Sequence, residues 1–258
     1  MLNLLISWTD AKNITVMASE FEPFWNEGET GNPGRDFWSP DYRLAVFALA
    51  STSILSLLAE FYGVSSMRAF ALLVSLPALA ALLAGALFDR AIGSQRLWRG
   101  IVVGSLAGLV AAFAYDMVQM PVVFAHALGI ERFLPPLPLF KVLPGFGAMI
   151  LGQPVEQPVY SVLAQLVGWA YHFSNGLTFG IMYVALVGDA NRRLWAWAVV
   201  FAVGLELGML FTPYPHFFSI ALTPTFVVVT LAAHLVFGVV MGLSSLALSR
   251  LLTPSAYR

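Results

Sequence analysis

Two histidines in the second half of the chain are followed by the same pattern of glycines. The pattern H-x-x-x-G-x-x-x-G begins at His172 and again at His234, each time inside a long apolar run. Residues four apart lie about one turn apart on a helix, so each histidine ends a stripe of glycines. Glycine stripes in apolar helices mark the places where another helix packs closely. We therefore expect both imidazoles to face protein rather than lipid.

Two acidic residues end similar stripes of small residues. Asp116 follows glycines and an alanine at four-residue intervals, beginning at Gly100, and Glu206 follows Ala198 and Ala202 at the same spacing. An acid-bearing segment followed by a histidine-bearing segment thus occurs twice. This order indicates a weak internal repeat of helix pairs.

The composition is that of a membrane protein. Of the 258 residues, 59% are hydrophobic and 10% are charged, whereas soluble domains have roughly 25% charged residues. The net charge of −1 gives no reason to expect a nucleic-acid partner, so the expected partner is the lipid bilayer. Because the chain has no cysteine, thiolate metal sites, cysteine nucleophiles and covalently attached haem are excluded.

Six apolar segments are each long enough to cross a bilayer core of about 30 Å at about 1.5 Å per residue. They span residues 43–62, 68–88, 100–124, 159–187, 194–212 and 223–249. The sequence therefore predicts an all-α, polytopic transmembrane bundle of about six spans within residues 43–252. A polar tail, residues 1–42, precedes it.

Basic residues near the ends of these segments predict the orientation. They cluster in the connections 89–99 and 188–193 and at the C-terminus, and comprise Arg90, Arg96, Arg99, Arg192, Arg193, Arg250 and Arg258. Cytoplasmic connections carry an excess of such residues. With six spans both termini are then cytoplasmic, which we expect to be in a bacterial inner (cytoplasmic) membrane.

Two stretches outside the spans have unusual composition. The tail holds the aromatic pairs Phe24-Trp25 and Phe37-Trp38, which favour either anchoring at the headgroups or a partly disordered tail. The outer connection between the third and fourth spans, residues 125–158, is long, apolar and rich in proline. We interpret it as a lid over the outer mouth of the bundle or as a plain interfacial loop. The turn 212–218 would close the same mouth from the other side.

Asp116, His172, Glu206 and His234 are predicted to share one layer of the membrane. Counted from the outer ends of their segments, all four lie between roughly 9 and 20 Å below the outer surface. A carboxylate at mid-membrane costs about 2.5–3.5 kcal/mol, so such residues either satisfy one another or hold a ligand. The neighbouring polar side chains are candidate hydrogen-bonding partners, although half of them must point away: Tyr115, Tyr171, Ser174 and Asn175.

The remaining ionisable residues have simpler interpretations. His126 and His216 fall in outer loops and are expected to be interfacial or solvated rather than ligands. Glu60, Asp89 and Asp189 fall at helix ends, where we expect a carboxylate to reach water.

A metal site is the first functional hypothesis. Two imidazoles and one or two carboxylates form a ligand set suited to a divalent transition metal, with a position open for water or substrate. His172, His234, Asp116 and Glu206 would be the ligands, and Glu206 or Asp116 would act as the general base on a membrane-resident substrate. No H-E-x-x-H signature supports this set.

Three alternatives remain open. His172 and His234 could ligate a b-type haem, which leaves the two carboxylates without a role. An acid and histidine relay could carry protons or a cation, although the cytoplasmic half of the bundle is nearly devoid of polar residues. Finally, the chain could be an accessory or structural subunit of a larger membrane complex, docked through its tail, its outer loop and its glycine-rich faces.

Overall fold

The computed structural model describes residues 40–188 and 194–252. Throughout these two ranges the chain forms helices and connections, without a strand. The aromatic pairs of the tail, Asp189, the basic pair Arg192-Arg193 and Arg258 lie outside the described residues. The expectations for them are therefore not tested.

Each of the six apolar segments is helical. In chain order the helices are α1 (Pro40–Phe61), α2 (Met67–Ile92), α3 (Arg96–Val123), α4 (Val142–Leu151), α5 (Val162–Val187), α6 (Trp197–Phe211), α7 (Tyr214–Phe217) and α8 (Pro224–Leu252). Residues 71–75 of α2 form a π-helical turn just before Pro77, which has no N–H to give to the turn below it.

Four of these helices are long and apolar enough to cross a membrane: α1, α2, α3 and α8. They indicate an integral membrane protein in contact with lipid. The 26 residues of α5 are long enough as well, but its first half is more polar. With 15 residues, α6 extends roughly 22 Å, which is shorter than a bilayer core. A count of six spans therefore needs more than the length and composition of the helices.

The glycine stripes of α3 and α5 face each other, so each stripe marks a close contact between helices. A Cβ atom built on Gly108 would lie 2.0 Å from the carbonyl oxygen of Gly176, and one on Gly180 would lie 2.0 Å from that of Gly104. No side chain fits at these distances, so only glycine lets the two antiparallel backbones touch.

The same kind of contact joins α6 to α8. A Cβ atom on Gly238 would lie 2.6 Å from Cα of Val199, and one on Gly242 would lie 2.4 Å from the carbonyl oxygen of Trp195. Since α8 also packs along α3, the four helices are arranged in the order α5, α3, α8, α6, with α1 against α5. The C-terminal ends of α3 and α6 and the N-terminal ends of α5 and α8 lie at the same end of the bundle.

The Pro-rich connection is only partly a loop. Its residues Val142–Leu151 form α4, whose backbone lies against that of α5: a Cβ atom on Gly147 would lie 1.8 Å from the carbonyl oxygen of Ala164. Reciprocally, a Cβ atom on Gly168 would lie 1.9 Å from the carbonyl oxygen of Leu143. The middle of the connection is thus fixed to the bundle, and its flanks, residues 124–141 and 152–161, remain irregular apart from a 3-10 turn at Leu139–Lys141.

The expectation that Asp89 reaches water is wrong. Its carboxylate is fully buried and accepts hydrogen bonds from the backbone N–H groups of Gln95 (3.1 Å) and Trp98 (3.0 Å) at the start of α3. Glu60 likewise accepts a hydrogen bond from the backbone N–H of Met67 at the start of α2. The first N–H groups of a helix lack partners within it, and a carboxylate satisfies them and complements the helix dipole.

Candidate functional site

Asp116 and His172 form a buried carboxylate and imidazole pair. Oδ1 of Asp116 lies 3.0 Å from Nε2 of His172, and the two side chains are 4% and 18% exposed. Asp116 lies eight residues after Gly108 on α3, and His172 lies four residues before Gly176 on α5. The pair therefore follows directly from the glycine contact, because the two stripes continue into the two side chains.

Glu206 and His234 form a second pair in the same way. Oε2 of Glu206 lies 3.1 Å from Nδ1 of His234, and the side chains are 2% and 9% exposed. Glu206 again lies eight residues after the backbone contact on its helix, at Ala198, and His234 four residues before the contact at Gly238. The spacing of the paired residues along their helices thus repeats, as the order of the motifs indicates, whereas His172 presents Nε2 to its carboxylate and His234 presents Nδ1.

Thr230 holds the second pair together, although it is not among the site residues predicted from the sequence. Its Oγ1 atom lies 2.5 Å from Oε1 of Glu206, and its carbonyl oxygen lies 2.9 Å from Nδ1 of His234. Because Nδ1 of His234 faces two oxygen acceptors, it carries the proton of the neutral ring, which leaves Nε2 as an acceptor. The available signal was the spacing: Thr230 lies four residues before His234, on the stripe that continues to Gly238.

Tyr115 connects the two pairs. Its ring packs edge to face on His234, with centroids 4.9 Å apart, and its centroid lies 6.1 Å from that of His172. Gln119, one turn further along α3 from Tyr115, is itself buried. Both histidines thus contact one aromatic residue of α3.

All four predicted site residues line one cavity of about 710 Å³. Most of its wall is apolar, and the two pairs, Tyr115, Gln119 and Thr230 supply the polar groups at the level of the pairs. Three stretches of irregular or short helical chain form the rest of the wall near the helix ends: residues 137–143, 155–160 and 217–223. From the ends of their helices the four residues lie roughly 8 to 15 Å deep. The volume falls within the usual range for ligand pockets, about 300–1,000 Å³.

The polar neighbours of the pairs divide as expected. Tyr115 and Asn175 line the cavity. The hydroxyl of Tyr171 instead donates to the carbonyl oxygen of Ser53 (3.0 Å), and that of Ser174 donates to the carbonyl oxygen of Tyr171 (2.8 Å). Asn175 also ties the cavity wall to α1, since its Oδ1 accepts a hydrogen bond from Ser53 (2.7 Å).

The two loop histidines lie outside the cavity. His126 is exposed, and its Nδ1 atom lies 3.6 Å from Oε1 of Glu131. His216 is exposed as well. The prediction that both are surface residues is confirmed.

The structure groups the four residues as two pairs rather than as one ligand set. Within residues 40–188 and 194–252, no three histidine or acidic side chains come close enough together to hold one metal ion. Histidines that ligate a haem usually bind the iron through Nε2. A bis-histidine haem would therefore need Nε2 of both rings, whereas Nε2 of His172 faces Asp116. The metal and haem hypotheses remain predictions, and this arrangement does not favour them.

Comparison with models of known protein families, with curated proteins and with solved structures finds no match to this chain. Its function is therefore inferred from the geometry of the cavity and of the two pairs.

Proposed function

We propose that this membrane protein binds an amphipathic, membrane-resident molecule in the cavity and exchanges protons with the polar end of that molecule. One observation carries the proposal: two carboxylate and imidazole pairs line a single cavity whose wall is mostly apolar. The apolar wall suits a molecule that partitions into lipid, and the pairs supply polar groups that the membrane itself lacks.

The second pair has the geometry of a general base. With Nδ1–H of His234 held by Glu206 and by the Thr230 carbonyl, Nε2 can accept a proton from the ligand, and the carboxylate then stabilises the imidazolium. The first pair offers the same chemistry through the other nitrogen of His172. Two such pairs in one cavity allow one to accept a proton while the other donates one.

We further propose that α1, α2, α3, α5, α6 and α8 all cross the membrane, with the cavity mouth outside and both termini in the cytoplasm. The antiparallel contacts of α3 with α5 and of α6 with α8 support this topology. Since the chain has no cysteine, single cysteines can report it. In spheroplasts, Arg132→Cys should react with a membrane-impermeant maleimide, and Ser94→Cys should react only after lysis. The opposite pattern, or equal labelling, would contradict the topology.

The binding proposal can be tested by extracting the protein into polymer nanodiscs with its native lipids and analysing organic extracts by mass spectrometry. Wild type should retain an apolar compound at about one per chain. The variant Leu205→Trp, which fills the cavity, should lose it, whereas Leu207→Trp on the exposed face of α6 should keep it.

The double variant His172→Ala/His234→Ala tests whether the two pairs bind the polar end of the ligand. It should retain much less of the compound than wild type does. Extracts that do not differ between wild type and Leu205→Trp would overturn the proposal. A stoichiometric transition metal that is present in wild type and lost in the double variant would instead support the metal hypothesis.

A further inference from the structure

We propose that the ligand of this cavity presents an aromatic hydroxyl group, as in a phenol or hydroquinone with an apolar tail, to the two carboxylate and imidazole pairs. This inference rests on the proposed function and narrows the class of ligand. It follows from the charges, the unused hydrogen-bonding atoms and the side chains of the cavity wall.

The charges exclude an anionic group at the level of the pairs. Among the described residues that line the cavity, Lys141 is the only lysine or arginine, and it is exposed in the segment that precedes α4. Asp116 and Glu206 place two carboxylates at that level. A phosphate or carboxylate headgroup would be desolvated there beside like charges and would lack an Arg or Lys partner.

The hydrogen bonds within the pairs leave acceptors for the ligand. Glu206 uses Oε1 with Thr230 and Oε2 with His234, and Asp116 uses Oδ1 with His172. The side-chain atoms that these bonds leave over are Oδ2 of Asp116 and one nitrogen of each imidazole, all of which accept hydrogen bonds while the rings are neutral. A ligand group that binds to the two pairs themselves therefore donates, through O–H or N–H groups.

The wall favours a flat ring. Ten of the 38 residues that line the cavity are phenylalanine or tyrosine. This share is larger than the 14% that phenylalanine, tryptophan and tyrosine make up of the whole chain. Aromatic rings pack on one another edge to face or offset, and each such pair contributes about 0.5–1.5 kcal/mol beyond the area that it buries. The volume of about 710 Å³ exceeds what one ring needs, which leaves room for an apolar tail.

Proton transfer distinguishes an aromatic hydroxyl from an aliphatic one. A phenolic hydroxyl such as that of tyrosine has a pKa of about 10, close enough to that of histidine for an imidazole backed by a carboxylate to accept its proton. Hydroquinone carries two such groups, which matches the presence of two pairs. No electron transfer is part of the proposal.

Binding of four probes to the protein in nanodiscs tests this class, with empty nanodiscs as background and under argon. The probes are decylhydroquinone, its dimethyl ether, decyl phosphate and decylamine. Decylhydroquinone should bind saturably at one site, and the dimethyl ether, which has the same ring and tail but no donors, should bind at least about tenfold more weakly. Decyl phosphate should show no saturable binding.

Two variants locate the binding. Asp116→Asn and His234→Phe should each weaken decylhydroquinone binding by about tenfold or more, while the exposed control changes Asp41→Asn and His216→Phe should leave it unchanged. Since His234→Phe also removes the partner of Glu206, Asp116→Asn keeps the test valid if His234→Phe does not fold.

Each failure has a distinct meaning. Two results would refute the proposal that the ligand presents an aromatic hydroxyl group, while the cavity would remain a binding site. In one, the ether binds as tightly as decylhydroquinone; in the other, decylamine binds and decylhydroquinone does not. If decyl phosphate binds best, the charge argument fails. If none of the probes binds and the Leu205→Trp extract matches wild type, both this inference and the proposed function fail.

Discussion

The two helix pairs of the bundle, α3 with α5 and α6 with α8, place their paired side chains at the same spacing and differ in the residue one turn before the histidine. In both, the carboxylate lies eight residues after the backbone contact and the histidine four residues before it. The position four residues before the histidine is Gly168 in the first pair and Thr230 in the second. One is the smallest residue, and the other supplies a hydroxyl group.

This difference connects each pair to a different part of the molecule. Gly168 lets the backbone of α4 approach α5, so the helix that carries His172 is packed against the Pro-rich connection, part of which lines the cavity. Thr230 instead bonds to Glu206 and to His234, so the hydrogen bonds of the second pair all come from residues of α6 and α8. We infer that the second pair is the more rigid one and that a movement of the connection acts first on His172.

The largest effect is expected from Gly168→Ala. Its Cβ atom would lie 1.9 Å from the carbonyl oxygen of Leu143, a backbone atom, so α4 must shift away from α5. Forcing an extra carbon into a close contact typically costs 1–3 kcal/mol, and we expect the free energy of unfolding to fall by about 3 kcal/mol. A thermal melt in detergent should show a lower melting temperature.

Gly204→Ala is the matched control for this change. Gly204 lies on α6 with nothing within 4 Å of an added Cβ atom, and alanine is about 1 kcal/mol better than glycine in a helix. The control should be as stable as wild type or more so. If Gly168→Ala melted like Gly204→Ala, the close packing of α4 on α5 would be incorrect.

The sequence predicts the pairing of helices well because small residues leave a readable pattern. The four-residue spacing from Gly104 to Asp116 marks one face of α3, and the spacing from His172 to Gly180 marks the facing side of α5. A close backbone contact allows only glycine or alanine on both helices. The direction of each stripe then shows that its ionisable residue meets the partner helix.

Other features could not be predicted from the sequence. Depth along a helix follows from counting residues, but the lateral separation of helices does not. The metal hypothesis therefore treats the four residues of one layer as a single ligand set, whereas the structure groups them as two pairs. Thr230 is uncharged, and a lone threonine in an apolar helix usually bonds to its own backbone, as Thr230 also can through the carbonyl oxygen of Phe226 at 3.0 Å. The helix α4 could not be predicted from the sequence, because an apolar stretch that contains prolines shows no clear helical periodicity.

An intermediate effect is expected from removing the charge of either carboxylate. In Glu206→Gln an amide N–H replaces one of two oxygens that now accept hydrogen bonds, whereas in Asp116→Asn the oxygen that faces His172 can be kept. We expect Glu206→Gln to lower the free energy of unfolding by about 2 kcal/mol and Asp116→Asn by about 1 kcal/mol. Thermal or denaturant unfolding in detergent measures both. An equal or reversed order would contradict the view that the second pair is the more tightly bonded one.

The smallest effect, and the most specific one, is expected from Thr230. Thr230→Val keeps the shape of the side chain but removes the donor to Oε1 of Glu206, which should cost about 1 kcal/mol. In ¹⁵N-histidine spectra the ring nitrogen shifts of His234 should change, because the Glu206 carboxylate that faces Nδ1 has lost a partner, while those of His172 should stay as in wild type. Thr230→Ser restores the hydroxyl and should restore the His234 shifts. A packing role alone would give the reverse, because valine fills the space of threonine and serine does not. Equal spectra for Thr230→Val and wild type would therefore show that the hydroxyl does not position this pair, and the difference between Gly168 and Thr230 would then have no effect on the second pair.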